Sequence, residues 1–374
     1  MCRNTRRSWL GLLLFAISAL FVAEVGLTAQ TPGGNAPSPS SAWVEPHDSG
    51  DLYNSLRDVI NYGAELFNKQ ADHAGCYRIY QGALISVRPY MAPLMRNGPV
   101  QYCLSPGIHP PAGSYTFTAS VSTFDLANAL IRYFRMKGWM RIALMTSTDA
   151  SGQDAERGLN QIIALPENKD VTVVERAHFN PTDVSVAAQI ERVKAANPQA
   201  FIAWSTGAPI ATIFRAINQA GLDIPIGTTD GNMTHAQMTQ YDSFLPAQLY
   251  FPAAFWAVAV ERGAKGEAVS AAQQQFLATF AEAGIPPDLP GEIAWDPAMI
   301  LIEALRRLGP DVTADRLRDH LAHLKDFPGA NGTYDFEKEP QRGLTVENAV
   351  VTRWNRASKH WDVLSKPTGV PLEQ

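Results

Sequence analysis

Strand-like and helix-like segments alternate with regularity from Ser120 onward, and this alternation constrains the fold more than any other feature of the chain. Short apolar runs are followed by stretches whose apolar residues recur at helical spacing. Because parallel strands need crossover connections, this repeat predicts a parallel sheet with helices on both faces. The predicted strands are 141–146, 171–174, 201–204 and 224–227; the predicted helices are 122–138, one that follows Gly152, 183–196 and 209–221.

The C-terminal part of the chain carries helices first and strands last. Apolar spacing predicts helices over 268–283, 297–308 and 313–324. Two strand-like segments, 346–354 and 361–364, are separated by a polar turn. They predict a terminal antiparallel hairpin.

The first 30 residues have the layout of a secretory signal peptide. Three arginines within the first seven residues precede an apolar run over 9–23, and residues 27–29 (LTA) end on a small residue at a possible cleavage site. We expect residues 1–29 to be removed and the protein to be periplasmic. An uncleaved membrane anchor is the alternative, although the apolar run is short for a full span.

Residues 30–42 are rich in proline, glycine and serine, which is typical of a linker, so the folded part is expected to begin near Trp43. Two cysteines, Cys76 and Cys103, follow the linker. In an exported chain they can form one disulfide or remain separate thiols, and the sequence leaves both options open.

Length and charge limit the classes of function. The 374 residues suffice for two domains of ordinary size, and 46% hydrophobic with 18% charged residues is typical of a globular protein. The net charge is −5, and no basic run follows residue 7. Nucleic acid is therefore not an expected partner.

Motifs of catalysis and metal binding are mostly absent from the sequence, with no G-x-S-x-G, phosphate loop, G-x-G-x-x-G or C-x-x-C. His320 and His323 share a helix face, but no third metal ligand accompanies them. We expect Asp149 to cap a loop and Asp154 to lie in a helix first turn rather than to form a catalytic pair. No metal, cofactor or enzymatic activity is expected.

Three loops follow predicted strands at what should be one edge of the sheet: 147–153, 205–208 and 228–232. All three are small, polar and glycine-containing. Ligands of parallel α/β sheets bind at the carboxyl ends of the strands, so these loops are the expected binding region.

At these loops the sequence resembles the periplasmic solute-binding proteins of the leucine/isoleucine/valine-binding type. The similar stretches are SVRPYMAPLMRNGPVQYCLSPG, RIALMTSTDASGQDAERG, AHFNPTDVSVAAQIERVKAANPQAFIAWSTGAPIATIFRAINQAGLDIPIGTTDGN, EIAWDPAMILIEALRRLG and DFPGANGTYDF. They occur in family order over roughly three quarters of the chain, from Ser86 to Leu364.

The resemblance implies an α/β fold of two lobes, each a parallel sheet flanked by helices, joined by crossing hinge strands. Lobe I would comprise 43–118 and 252–328, and lobe II 119–251 and 329–366. Matching motif by motif, the resemblance implies ligand contacts at Ser86, Ser105, Gly107, His109, Ser151, Thr206, Gly207, Ala208 and Asp230. Asp230 stands where the family has an acidic residue that binds a ligand ammonium.

Two departures from the family pattern carry information. Ser151 and the loop at Thr206 lack aromatics that the family has there, which makes branched-chain amino acids doubtful ligands. Aromatic residues over 250–256 can supply a ligand wall, but we favour a core role for them. Only about forty residues, 43–82, occupy the place of two full strand–helix units, so lobe I is expected to be shortened or diverged.

The expected function is capture of a small polar solute, such as an amino acid, amide or carboxylate, by hinge closure for the permease of an ABC importer. A ligand-sensing receptor of the same fold is the alternative. A hydrolase that uses Ser105 or Ser151 is a third reading, disfavoured because no base and orienting group accompany either serine. The sequence leaves ligand identity and oligomeric state open.

Overall fold

The computed structural model describes residues 100–373, except 119, 310 and 311, together with Tyr62. The chain divides into two units, 1–94 and 95–374, and the architecture below is that of the second unit. The predicted signal peptide, linker and first part of lobe I, and with them Cys76 and Ser86, lie outside the described residues.

Eleven strands and nine α-helices are described in this unit, with short 3-10 turns between some of them. The strands are β1 (Gln101–Cys103), β2 (Thr116–Thr118), β3 (Arg141–Ser147), β4 (Thr172–Phe179), β5 (Ala200–Trp204), β6 (Ile226–Gly227), β7 (Leu249–Ala254), β8 (Phe327–Gly329), β9 (Gly332–Tyr334), β10 (Ala349–Asn355) and β11 (His360–Val363). The helices are α1 (Thr123–Met136), α2 (Ala150–Ile163), α3 (Ala187–Ala195), α4 (Ile210–Gln219), α5 (His235–Gln240), α6 (Trp256–Lys265), α7 (Ala271–Ala283), α8 (Leu289–Leu308) and α9 (Ala314–Ala322).

Seven of the strands form one twisted sheet in the order β11-β10-β7-β6-β5-β3-β4. The pairs from β7 to β4 are all parallel, and β10 and β11 add an antiparallel edge. The predicted α/β class with a mostly parallel, helix-flanked sheet is therefore confirmed.

The first helix of this sheet shows why sequence pattern and structure agree here. The Ser122 hydroxyl accepts a hydrogen bond from the Asp125 backbone and caps α1. Leu126, Leu130 and Phe134 recur at helical spacing and are fully buried. The apolar stripe of α1 packs on the sheet, which makes its boundaries readable from the sequence.

The terminal hairpin lies as predicted and joins the main sheet. β10 pairs antiparallel with both β11 and β7, and Trp354 lies opposite Trp361 with ring centroids 4.7 Å apart. From the aromatic group over 250–256, Tyr250, Phe251 and Trp256 are buried in the core, in agreement with the favoured interpretation.

Several boundaries differ from the prediction. Helix α8 begins at Leu289 rather than at Pro297, and Pro297 lies inside it. Proline favours a helix first turn, which explains the error: a second proline, Pro290, already occupies that position. Helix α6 was not predicted, and β4 extends to Phe179.

Helix α2 begins at Ala150, and this corrects the role expected for Asp154. Asp149 caps the helix by accepting a hydrogen bond from the Gly152 backbone, as expected of a loop-capping residue. Asp154 lies beyond the first turn, where its side chain is buried. The first-turn prediction for Asp154 is therefore wrong.

Two small sheets complete the unit. β1 pairs with β2 in parallel, and β8 with β9 forms a tight hairpin whose turn contains Ala330 and Asn331. The predicted change of lobe at 251/252 falls within β7, and the division into two lobes stays a prediction.

Candidate functional site

The structure places the loops 205–208 and 228–232 side by side at one edge of the sheet. They follow the neighbouring parallel strands β5 and β6. The Asn232 amide nitrogen donates to the Ser205 carbonyl at 2.8 Å and to the Thr228 hydroxyl at 3.0 Å. Gly231 approaches Thr206 so closely that a Cβ there would lie 2.8 Å from the Thr206 methyl carbon. These two loops therefore form one continuous surface.

The third predicted loop, 147–153, follows β3 at the same edge, next to β5. Gly152 is packed against the backbone of Ser147, where any Cβ would overlap the Ser147 carbonyl oxygen. Ser151 is partly exposed beside this turn. In the neighbouring loop Thr206 and Gly207 are partly exposed and Ala208 is exposed, with Gly207 in the left-handed region at φ +73°.

Asp230 is the most deeply buried of the predicted ligand residues that the structure describes, with 2% of its surface exposed. The Thr229 hydroxyl donates to its carboxylate at 2.9 Å. Burial raises the pKa of Asp230 to about 6, and hydrogen bonds from Thr229 and the Gly231 backbone oppose the shift. A backbone hydrogen bond from Gly231 is what an aspartate that caps the following turn accepts, but these neutral donors leave the buried charge without a cation.

The segment from Ser105 to His109 lies against helix α2. The Ser105 hydroxyl accepts a hydrogen bond from the Gly107 backbone at 3.3 Å, and His109 Nε2 lies 3.0 Å from Asp154 Oδ1. Gly107 faces the same carboxylate, since a Cβ there would lie 3.1 Å from Asp154 Oδ2. The contact joins a residue assigned to lobe I with a residue assigned to lobe II.

Arg342 holds this segment and was missed from the sequence. Its buried guanidinium donates hydrogen bonds to the carbonyl of Ile108 at 2.7 Å, to the Thr118 hydroxyl at 3.0 Å and to the carbonyl of Ser120. Burial lowers the pKa of Arg342 from its usual range. A lone arginine after a polar turn belongs to no motif, so only the fold shows that it anchors this loop.

A second group of buried polar residues lies where α8 meets the β8–β9 turn, and it too was missed. Asp296 accepts hydrogen bonds from the backbone of Ala330 and Asn331 and from the Tyr334 hydroxyl, at 2.8, 2.9 and 3.0 Å. Glu292, one helical turn earlier, accepts from the Asn331 amide nitrogen. Burial, with the charge of Asp296 next, raises the pKa of Glu292 well above its usual range.

Two cavities in the described part of the chain lie away from the predicted ligand residues. One of 610 Å³ is bordered by Phe255, Gln273 and Asn348, and one of 470 Å³ by Trp295, Asp296 and Phe327. Neither is lined by Ser105, Asp230 or the loop at Thr206. Phe255 therefore borders a cavity, whereas its aromatic neighbours in the sequence belong to the core.

The described residues give no support to metal or hydrolase chemistry. Among them, no three His, Cys, Asp or Glu side chains are grouped so as to hold a metal ion. His109 is oriented by Asp154, which the sequence did not reveal, but the described contacts of Ser105 and His109 do not join the two to each other. The nucleophile–base contact that a hydrolase needs is therefore missing in this part of the chain.

The sequence profile of the periplasmic binding protein family matches residues 86–359, well over half of the chain. The protein belongs to this family. The expected family and its type I fold are thereby confirmed.

Solved structures with the same fold come from several bacteria. An extracellular ligand-binding receptor from Rhodopseudomonas palustris is 16% identical, with a TM-score of 0.63 and coverage of 76% of this chain and 79% of the receptor. A type 1 periplasmic binding protein from Bordetella pertussis Tohama I is 18% identical, with a TM-score of 0.60 and coverage of 75% and 78%. A branched-chain amino acid transporter substrate-binding protein from Streptococcus pneumoniae, solved with isoleucine, is 18% identical, with a TM-score of 0.54 and coverage of 67% of each chain.

At these identities the solved structures show the fold alone. Among curated proteins, none is significantly similar in sequence to this chain. The family is one of solute-binding receptors that act outside the cytoplasm and are generally not enzymes. None of the helices that the structure describes combines the length and apolar character of a membrane span.

Proposed function

We propose that this protein is the extracytoplasmic solute-binding component of an ABC importer and captures a small polar ligand at the loop edge around Asp230. The observation that carries the proposal is the burial of the Asp230 carboxylate without a cationic partner among the described residues. A buried carboxylate is costly unless it is paired, and a ligand ammonium supplies that pairing.

Ligand capture proceeds by closure of the two predicted lobes. In the predicted division, the loops at Ser151, Thr206 and Asp230 belong to lobe II and the segment Ser105–His109 belongs to lobe I. A ligand that contacts both sets stabilises the closed state, which the membrane permease then binds. The His109–Asp154 contact at 3.0 Å supports this proposal, because it joins the Ser105–His109 segment to helix α2, whose first turn contains Ser151.

The test is a ligand screen on the full chain, expressed with its own export signal and purified. A ligand that binds the folded state raises the melting temperature by mass action. We expect a saturable shift with one class of small polar compound and loss of that shift in Asp230→Ala. A cooperative melt that no compound shifts contradicts the proposal.

The importer role has its own test. Deletion of the gene should abolish uptake of the radiolabelled ligand found in the screen, and the wild-type gene should restore uptake. Unchanged uptake in the deletion strain, with binding intact, favours a sensor of the same fold.

A further inference from the structure

Three carboxylates are buried around the contact between α8 and the loop after β6, and they differ in how well they are satisfied. Asp296 accepts three hydrogen bonds from Ala330, Asn331 and Tyr334, so its role is to hold the β8–β9 turn. Its bonding is complete within the protein. Glu292 and Asp230 require a different explanation.

Glu292 is fully buried but only half satisfied. Its Oε1 accepts a hydrogen bond from the Asn331 amide nitrogen, whereas its Oε2 has no partner among the described residues. The amide oxygen of the fully buried Asn331 is also without a partner in the described part of the chain. Two unpaired acceptors therefore lie on groups that contact each other directly.

The loop that contains Asp230 also has a buried acceptor atom without a hydrogen-bond partner. The amide oxygen of Asn232, two residues along, is buried and has no partner in the described structure. The two sides meet, because the backbone of Leu289, in the first turn of α8, donates to the Met233 carbonyl at 3.1 Å. The charge of Asp230 reaches Glu292 and contributes to its raised pKa.

In the ionised form of Glu292, the unpaired carboxylate and amide atoms on both sides are acceptors, so a group that replaces the proton and completes this region must bring donors. An ammonium group carries three donors and no acceptor, which matches the deficit. No lysine or arginine of the described residues contacts Asp230 or Glu292. When both Asp230 and Glu292 are ionised, they carry two negative charges, which is more than a single ammonium can neutralise.

We infer that Glu292 is a specificity-determining residue of the proposed ligand site and selects a small molecule with a second cationic nitrogen beyond the one that Asp230 binds. The inference rests on the proposed function and narrows its ligand class to diamines and basic amino acids.

Calorimetric titration of the purified full chain tests the inference with six probes. Three carry two cationic nitrogens (1,4-diaminobutane, 1,5-diaminopentane and lysine), and three do not (butylamine, leucine and succinate). Glu292→Gln keeps the shape of the side chain and removes its charge. Glu303→Gln, on the same helix but partly exposed and paired with Arg307, is the matched control.

We expect the wild type to bind at least one dicationic probe more tightly than any other probe. Glu292→Gln should weaken that binding about tenfold or more, since a hydrogen bond between charged groups is lost, and Glu303→Gln should leave it unchanged. Asp230→Asn should weaken binding of dicationic and monocationic probes alike.

A second measurement needs no variant. Titration of the wild type near pH 6 in buffers of different ionisation enthalpy should show protons released on binding of the dicationic probe, because the cation replaces protons held by buried carboxylates. Binding of leucine or succinate in preference to every dicationic probe overturns the inference and leaves the proposed function intact. If the protein binds none of the six probes and no compound of a wider panel of small polar molecules, both the inference and the proposed function are contradicted.

Discussion

The scaffold around strands β3 and β5 differs in what fills its interior from the polar region, which comprises the Asp230 loop and the segment from Leu289 to Tyr334. In the first, the fully buried side chains of β3, β5 and the helices around them are mostly apolar, and the buried polar ones are mainly small. In the second, Glu292, Asp296 and Asn331 are fully buried beside aromatic residues. The first region is a scaffold that apolar burial stabilises. The second keeps costly polar groups inside, which is typical of a functional site.

The largest loss of stability is expected from a substitution in the scaffold. Phe201 lies fully buried in β5, and truncation in Phe201→Ala leaves a cavity at the centre of the sheet. We expect the free energy of unfolding to fall by about 3–5 kcal/mol, measured by urea denaturation. Val184→Ala, at a position 97% exposed, is the control and should change stability by less than about 0.5 kcal/mol. A small effect at Phe201 contradicts the described packing.

Loss of the loop anchor should have the next largest effect. Arg342→Met removes the donors of the carbonyls of Pro106, Ile108 and Ser120 and should lower the free energy of unfolding by about 2–3 kcal/mol. Ligand affinity should fall as well, because the Ser105–His109 segment loses its fixed position. Arg306→Met on the exposed face of α8 should alter neither quantity, and equal effects of the two substitutions would refute the anchoring role.

The polar region should respond in the opposite direction. Asp230→Asn removes a buried charge and should raise the free energy of unfolding at pH 7.5 by about 2 kcal/mol while it weakens ligand binding. The pKa of Asp230 is raised to about 6 in the folded state, so its favourable contribution is complete below about pH 4 and is lost as the pH rises through 6.

The gain in Asp230→Asn should therefore disappear near pH 4, where the wild-type carboxyl is protonated. Urea denaturation of both proteins at pH 4 and pH 7.5 measures this difference. Destabilisation by Asn at pH 7.5 would show that the Asp230 charge is compensated within the protein.

The smallest effect is expected where the two predicted lobes touch. The side chain of His109 is about half exposed, so His109→Gln should cost less than about 1 kcal/mol, and added salt should reduce that cost. A double-mutant cycle with Asp154→Asn isolates the pair. Coupling that is absent at low salt would contradict the contact at 3.0 Å.

The same contrast explains what could be read from the sequence. Strands β3 and β5 and helices α1 and α4 followed from local apolar spacing, because each buries one continuous stripe or run. The edge shared by the ligand loops followed from the same reasoning, since parallel neighbouring strands end together.

The polar region could not be read in this way. Glu292 and Asn331, which carry unpaired atoms, contact each other across 39 residues of sequence. Local periodicity does not predict a contact at that separation. A glutamate at a helical position normally predicts an exposed face. The start of α8 was predicted eight residues late because Pro297 resembles a first-turn proline, whereas Pro290 occupies the first turn.

The central claim is that Asp230 receives the cationic group of a small ligand. Its most direct test is the dissociation constant of the ligand found in the screen, measured by titration at pH 7.5 for the wild type and for Asp230→Asn. The account predicts a cooperatively folded variant whose affinity is about thirtyfold or more weaker, as expected for loss of a buried charge pair. Equal affinity of the two proteins would contradict the assignment of Asp230 as the ligand's counter-charge.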